Sequence, residues 1–258
     1  MNFTKAILFS SLWIIAALMF NAGVYLYQGH QKALEFLTGY VIELSLSVDN
    51  LFVFLLIFTQ FKVSLADQGR ILTWGVLGAQ LMRAFFIIGG IALLQHFTWV
   101  IYAFGILLVF SGINVFAKTD KTIPLDQGSV LRFLERFIPV KLSPFLIVLL
   151  LVEMADLIFA VDSIPAVLAV TKDPFIVYTS NILAILGLRS MYFVLYPVAG
   201  KFHLLHYGIG LILIFVGIKM ISANIWHIPV AYALSFIVLV LSVSVFASWF
   251  FRRLKNNQ

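Results

Sequence analysis

The sequence predicts an all-α integral membrane protein of about eight transmembrane helices, and three observations carry that prediction. The first is composition: 62% of the 258 residues are hydrophobic and 11% are charged, with a mean hydropathy of +1.07. A soluble domain carries about 25% charged residues. The second is that the apolar residues fall in runs long enough to cross a bilayer, which takes about 20 residues. The third is an internal repeat of three-helix units with inverted topology, a pattern of secondary transporters.

The run 6–27 comes first. It is long for the apolar core of a signal peptide and no clear A-x-A site follows, so it is expected to be a retained helix. The second helix, 35–59, holds VIELSLSVDNLFVF, and the third, 70–94, holds LMRAFF. The fourth, 98–117, is almost wholly apolar. The segment 118–143, KTDKTIPLDQGSVLRFLERFIPVKLS, is polar, with two prolines and a short amphipathic piece, VLRFLERFI. It is too short for a nucleotide-binding domain, so pumping would draw on an ion gradient or a partner. The fifth helix, 144–170, holds EMADLIFAVDSIPAV, and the sixth, 175–198, holds LRSMYF. The runs 205–223 and 228–251 complete the eight, within one transmembrane domain spanning 1–258.

The net charge of +6 does not mark a nucleic-acid binder, because the basic residues sit between apolar runs, as orientation in a membrane requires. Lys5, Lys62, Arg70, Lys118, Lys121, Arg132, Arg136, Lys141, Lys201, Arg252, Arg253 and Lys255 fall on one side, Lys32 and Lys172 on the other. That asymmetry places both termini and the 118–143 loop in the cytoplasm. The absence of cysteine removes disulfides, zinc–thiolate sites and thiol catalysis.

The repeat is read from three landmarks in one order. YAFGILLVFSGINVF at 102–116 aligns without gaps to YGIGLILIFVGIKMI at 207–221. Arg83 in LMRAFF matches Arg189 in LRSMYF, and Thr73 matches Thr179. Glu43 and Asp49 match Asp156 and Asp162 at the same spacing. Repeat 1 is then 35–117 and repeat 2 is 144–223, with 6–27 and 228–251 outside. Gly105, Gly112, Gly210 and Gly217 are expected to permit close helix contact.

Ionisable residues inside spanning segments are costly and usually functional. Here they are Glu43, Asp49, Glu153, Asp156, Asp162, Arg83, Arg189 and Lys219. Residues six apart on a straight helix point about 240° away from each other, so Glu43 and Asp49 would converge only if the helix were unwound between them. Pro165, three residues after Asp162, frees the carbonyl of residue 161 from its helical donor. Discontinuous helices at the site are therefore expected, because transporters bind cations beside freed carbonyls. Some of the carboxylates are expected to pair with Arg83 and Arg189. The carboxylates outnumber the basic partners, and the surplus must be protonated or matched by a cation. Both fates suit an exchanger of protons for a divalent cation. The donors on offer are oxygens, with Asn50, Ser47, Ser163 and Asn181 beside the carboxylates, a set that suits Mg²⁺, Ca²⁺ or Mn²⁺. Met154 and the phenylalanines are read as packing. His30, His96, His203, His206 and His227 are read as interfacial residues at helix ends.

ELSLSVDNLFVF at 43–54, WGVLGAQLMRAFF at 74–86 and EMADLIFAVDSIPAVLAVTKDPFIVYTSNILAILGLRSMYF at 153–193 closely resemble the TerC family of bacterial membrane proteins. The resemblance covers roughly 35–222. It implies an inverted repeat of three-helix units like that of the lysine-exporter-type superfamily, a name linked to tellurium resistance, and members described as manganese exporters. In some bacteria members are described as suppliers of manganese to secreted metalloenzymes. The family's acidic motifs fall on Glu43, Asp49 and Asn50, and on Glu153, Asp156, Asp162 and Ser163.

The expectation is thus a transporter exporting Mn²⁺ across the bacterial cytoplasmic membrane by proton antiport. In that reading Mn²⁺ is the cargo, there is no prosthetic group, and the partners are the metal ion, protons and the bilayer. Asp49 and Asp162 ligate from opposed broken helices. Glu43, Glu153 and Asp156 complete the shell or carry protons, and Arg83 and Arg189 orient them and compensate charge. A membrane enzyme is the weaker reading, since neither G-x-S-x-G nor H-E-x-x-H is present. An accessory subunit of a secretion or tellurium-resistance system, with structural acids and 118–143 as its surface, is the third.

Overall fold

The computed structural model describes residues 2–97, 99–117, 143–197, 204–222 and 228–255, excepting the side chains of Asp49 and of residues 249–255. The loop 118–143, apart from Ser143, and the histidines His203 and His227 lie outside the described residues. All eight predicted spans are present as helices, and the described residues contain no strand.

Helix α1 (Phe3–Gln28) turns into α2 (His30–Gln60) through Gly29 alone, whose φ of 87° is open to glycine and strained for other residues. Helix α3 (Leu65–His96) starts at Ser64, whose Oγ accepts the Asp67 N–H at 3.2 Å. Helix α4 (Val100–Ala117) follows, then α5 (Pro144–Leu168), capped by Ser143 with Pro144 in the first turn, where its missing N–H costs nothing. Asp173 caps α6 (Pro174–Leu186) by accepting the N–H groups of Phe175 at 3.0 Å and Ile176 at 3.4 Å. Helices α7 (Leu188–Leu195), α8 (Leu205–Ile221) and α9 (Val230–Lys255) complete the order. Helices α1, α2, α3, α5 and α9 are each long and apolar enough to span a membrane, and the bent pair α6–α7 makes a sixth span. Helices α4 and α8 are shorter, at 18 and 17 residues.

The expected discontinuities at 43–49 and at Pro165 are not found. Helix α2 is unbroken from His30 to Gln60, and α5 runs through Pro165 to Leu168. Pro165 withdraws one donor three residues before the helix ends, and the Pro165 carbonyl still accepts the Ala169 N–H at 2.9 Å. The break falls instead at Gly187, where α6 and α7 meet at 41°. A Cβ on Gly187 would stand 3.4 Å from the Trp13 side chain, so α1 packs directly on the break.

Helices α4 and α8 pack closely through their glycines. A Cβ on Gly105 would lie 2.9 Å from the Gly217 carbonyl, and one on Gly217 would lie 2.7 Å from the Gly105 carbonyl. Gly112 and Gly210 face each other in the same way, at 2.6 and 3.1 Å. The contact is reciprocal, as in an interface between two copies of one surface, and no larger residue fits without moving backbone.

Two apolar clusters lie toward opposite ends of the bundle. One gathers Ile42, Leu46, Ile87, Ile91, Ala160 and Ile164 with α4, α8 and α9. The other gathers Leu51, Phe54, Ile71, Leu72, Val148 and Val152 with α7. On α3 and α5 the residues between these clusters are Arg83 and Asp156, which puts the charged groups near mid-depth.

A candidate cation site between α2, α3 and α5

Arg83 is 1% exposed, and its guanidinium is matched almost donor for donor. Nε donates to Asp156 Oδ2 at 3.2 Å and Nη2 donates to Asp156 Oδ1 at 3.1 Å. Nη1 donates to Glu43 Oε1 and, at 3.2 Å, to Ser163 Oγ. The Asn50 amide donates to Asp156 Oδ1 at 3.5 Å, closing the ring between α2 and α5. Glu43, Asn50, Asp156 and Ser163 are all at most 5% exposed. Such forked bonds fix geometry as well as charge.

Glu43, Ser47 and Asn50 recur at helical spacing, so they share one face of α2. On that face Glu43 Oε2, Ser47 Oγ and Asn50 Oδ1 are buried without a hydrogen-bond partner among the described residues, as are both polar atoms of Asn181 on α6. Buried polar atoms are nearly always satisfied, so such a group calls for water, an ion or a second arrangement. With Arg83 present, Glu43 and Asp156 in their ionised forms leave one negative charge unmatched.

Glu153 lies one turn before Asp156 on α5 and is half-buried. Its carboxylate packs against Gly78 of α3, where a Cβ would overlap it, and its Oε2 has no partner. Glu153 and Asp156 line the same void of about 10 Å³, the room of roughly one water.

The remaining predicted residues are placed elsewhere. Asp162 turns away from Arg83 and accepts a 2.7 Å bond from Ser111 on α4. Asp49 lies on α2, and its side chain is outside the described residues. Arg189 is exposed on α7 and joins none of these carboxylates. Among the described residues no three of the histidine, aspartate and glutamate side chains gather closely enough to hold a metal ion. Arg83 holds the oxygens that a cation would take.

Sequence reasoning passed over Ser111, although it is the one serine in the apolar run of α4, which has no threonine. Its aligned position in the second repeat is Val216, so the repeat gave no signal for it. It also passed over a network at the opposite end of α5 from Ser143. There Lys32 bridges Glu35 and Asp173, each at 3.0 Å, and Thr171 donates to Glu35 at 2.7 Å. The Glu43 and Asp156 pair, and the Asn50 and Ser163 pair, are the ones the repeat alignment matches, and all four residues meet around Arg83.

A bundle of apolar spanning helices with a buried ion-pair cluster at its centre defines a multi-pass integral membrane protein. Residues 28–256 match the profile of the integral membrane protein TerC family, and the chain belongs to that family. It is 44% identical to "Uncharacterized membrane protein STKORF319" of Myxococcus xanthus, over 96% of this chain and 83% of the relative. It is 42% identical to "Putative membrane-bound redox modulator Alx" of Salmonella typhi, over 95% of this chain and 84% of the relative. The protein of the same name from Escherichia coli K12 is 42% identical over 93% and 83%. No solved structure matches the chain.

Proposed function

We propose that the protein is a secondary transporter that exports Mn²⁺ across the bacterial cytoplasmic membrane in exchange for protons, with both termini in the cytoplasm. The observation that carries this reading is the row of unpartnered oxygens on α2, Glu43 Oε2, Ser47 Oγ and Asn50 Oδ1, set against the Arg83–Asp156 pair. These are hard oxygen donors of the kind Mn²⁺ shares with Mg²⁺ and Ca²⁺. The choice of Mn²⁺ rests on the family resemblance.

Charge sets the order of events. Glu43, Asp156 and Glu153 against Arg83 carry two surplus negative charges when all are ionised, which equals the charge of one divalent cation. Arg83 and the metal compete for the same Asp156 and Glu43 oxygens, so metal binding requires Arg83 to loosen at least one of its bonds. When the metal leaves, protonation of both Glu153 and Glu43 restores neutrality in low dielectric. Asp162, held by Ser111 and apart from Arg83, is a second proton carrier on the path between α4 and α5. The reciprocal glycine contact of α4 with α8 supports an inverted repeat, and such repeats rock against each other to expose a midplane site alternately.

The relatives' printed name speaks of redox modulation. None of the 258 residues is cysteine, so such a role in this chain would act without thiol exchange. Movement of a redox-active metal ion provides one route.

The test is Mn²⁺ flux into proteoliposomes under an imposed pH gradient, with Glu43→Gln and Asp156→Asn beside the unaltered protein. Gradient-driven flux that is lost in both variants is expected. A folded protein that moves no Mn²⁺ under either gradient direction would overturn the transporter reading and favour an accessory role.

A further inference from the structure

Arg83 and Arg189 are matched by the repeat, yet only Arg83 reaches the carboxylates. Arg189 is exposed and makes no hydrogen bond or ion pair among the described residues. It lines a cleft of about 470 Å³ between α1, α3 and α7, with Phe9, Trp13, Thr73, Leu77 and Ser190. That volume lies within the roughly 300–1,000 Å³ of small-molecule sites.

We propose that this cleft binds the phosphate head of an anionic phospholipid, with an acyl chain along Phe9 and Leu77. A guanidinium fork matches a phosphate in shape and charge. An arginine in an apolar span needs an anion or water to justify its position. Depth favours a headgroup: Arg189 Nη2 lies 3.6 Å from where a Cβ on Gly69 would stand. Gly69 is beside Arg70, whose side chain is 76% exposed at the start of α3. This is the end of the bundle that carries most of the basic residues, the end that faces anionic lipid in the cytoplasmic leaflet. The walls favour a lipid over a free anion. Phe9 is 46% exposed and Leu77 is 52% exposed, on helix faces turned to lipid, and the Trp13 indole suits the interface. Gly187 lets the break pack against α1, where an added Cβ would stand 3.4 Å from the Trp13 side chain that lines the cleft.

The purified full chain is offered equimolar phosphatidylglycerol and phosphatidylcholine, and retained lipid is counted by native mass spectrometry. Preferential retention of one phosphatidylglycerol is expected, and Arg189→Gln should cut the preference roughly fivefold, the factor one basic residue near an anionic surface contributes. Arg70→Gln removes a neighbouring exposed charge and should leave the preference intact. An equal loss in both variants would assign the effect to general charge and overturn the site. No preference in the unaltered protein would overturn it without any variant, should Arg189→Gln not fold. Displacement of the lipid by millimolar inorganic phosphate would make the ligand a free anion and overturn the lipid assignment.

Discussion

Asp156 on α5 takes two parallel hydrogen bonds from Arg83 on α3, at 3.2 and 3.1 Å, with both residues almost wholly buried. Glu43 on α2 shares the same guanidinium, so one arginine ties three helices at mid-depth. Removing one partner of a buried ion pair typically costs about 3–5 kcal/mol, because the other charge is left uncompensated. Arg83→Ala should therefore lower the thermal midpoint in detergent sharply, and added Mn²⁺ should restore part of it by taking over the freed oxygens. A midpoint within experimental error of the unaltered protein would show that the pair contributes nothing.

Glu43→Gln and Asp156→Asn keep the shape of the cluster and remove one charge each. Each should weaken Mn²⁺ binding by at least about tenfold, since hydrogen bonds and ligation by a charged group are roughly twice as strong as neutral ones. Isothermal titration of the detergent-solubilised protein with Mn²⁺ measures this. Unchanged affinity in both would remove the cluster from the metal path.

Asp162 stands apart from Arg83, with only the Ser111 hydroxyl as hydrogen-bond partner among the described residues. Asp162→Asn should retain Mn²⁺ binding while abolishing the response of flux to a pH gradient. Ser111→Ala, which withdraws the hydrogen bond to the carboxylate, should shift the pH midpoint of flux. Loss of Mn²⁺ binding in Asp162→Asn would return this residue to the ligand set that the sequence suggested.

Gly112 faces the Gly210 carbonyl with no space for a side chain. Gly112→Leu must separate α4 from α8, at a cost of at least the roughly 1–3 kcal/mol of core overpacking. Its thermal midpoint should fall well below that of Gly89→Leu, where nothing stands within 4 Å of the added atom. Equal midpoints would contradict the close crossing.

Asp173 caps α6 outside the membrane spans. Burial pushes its carboxyl up, but the Lys32 hydrogen bond, the Ile176 N–H, the Lys32 charge and the Phe175 N–H together hold it below the ordinary carboxylate value. The folded state therefore binds fewer protons than the unfolded chain. The stabilisation is complete above the unfolded value near about 3.9 and is lost as pH falls through the lower folded value. Asp173→Asn keeps the cap but loses the Lys32 pair. Its midpoint should lie below that of the unaltered protein at pH 7, by less than about 1 kcal/mol for so exposed a pair. The gap should close on acidification, and a gap that persists at low pH would assign it to the cap.

The sequence by itself determined the eight apolar helical segments, the family and the acids within them. A bilayer imposes run length on every helix and makes each intramembrane charge conspicuous, so these features are written locally. Repeat alignment also paired Glu43 with Asp156 and Asp49 with Asp162 before any contact was known. Only the tertiary structure decided that Arg83 takes both carboxylates while Arg189 faces an open cleft, and that Asp162 turns to Ser111. It also decided that α2 and α5 stay continuous through the site, where the Arg83 guanidinium, and not a cation held by freed carbonyls, meets the carboxylates. These outcomes depend on how helices far apart in sequence are rotated and set in depth against one another. That relation is fixed by packing, such as the Gly105–Gly217 and Gly112–Gly210 contacts, and spacing along one helix does not encode it.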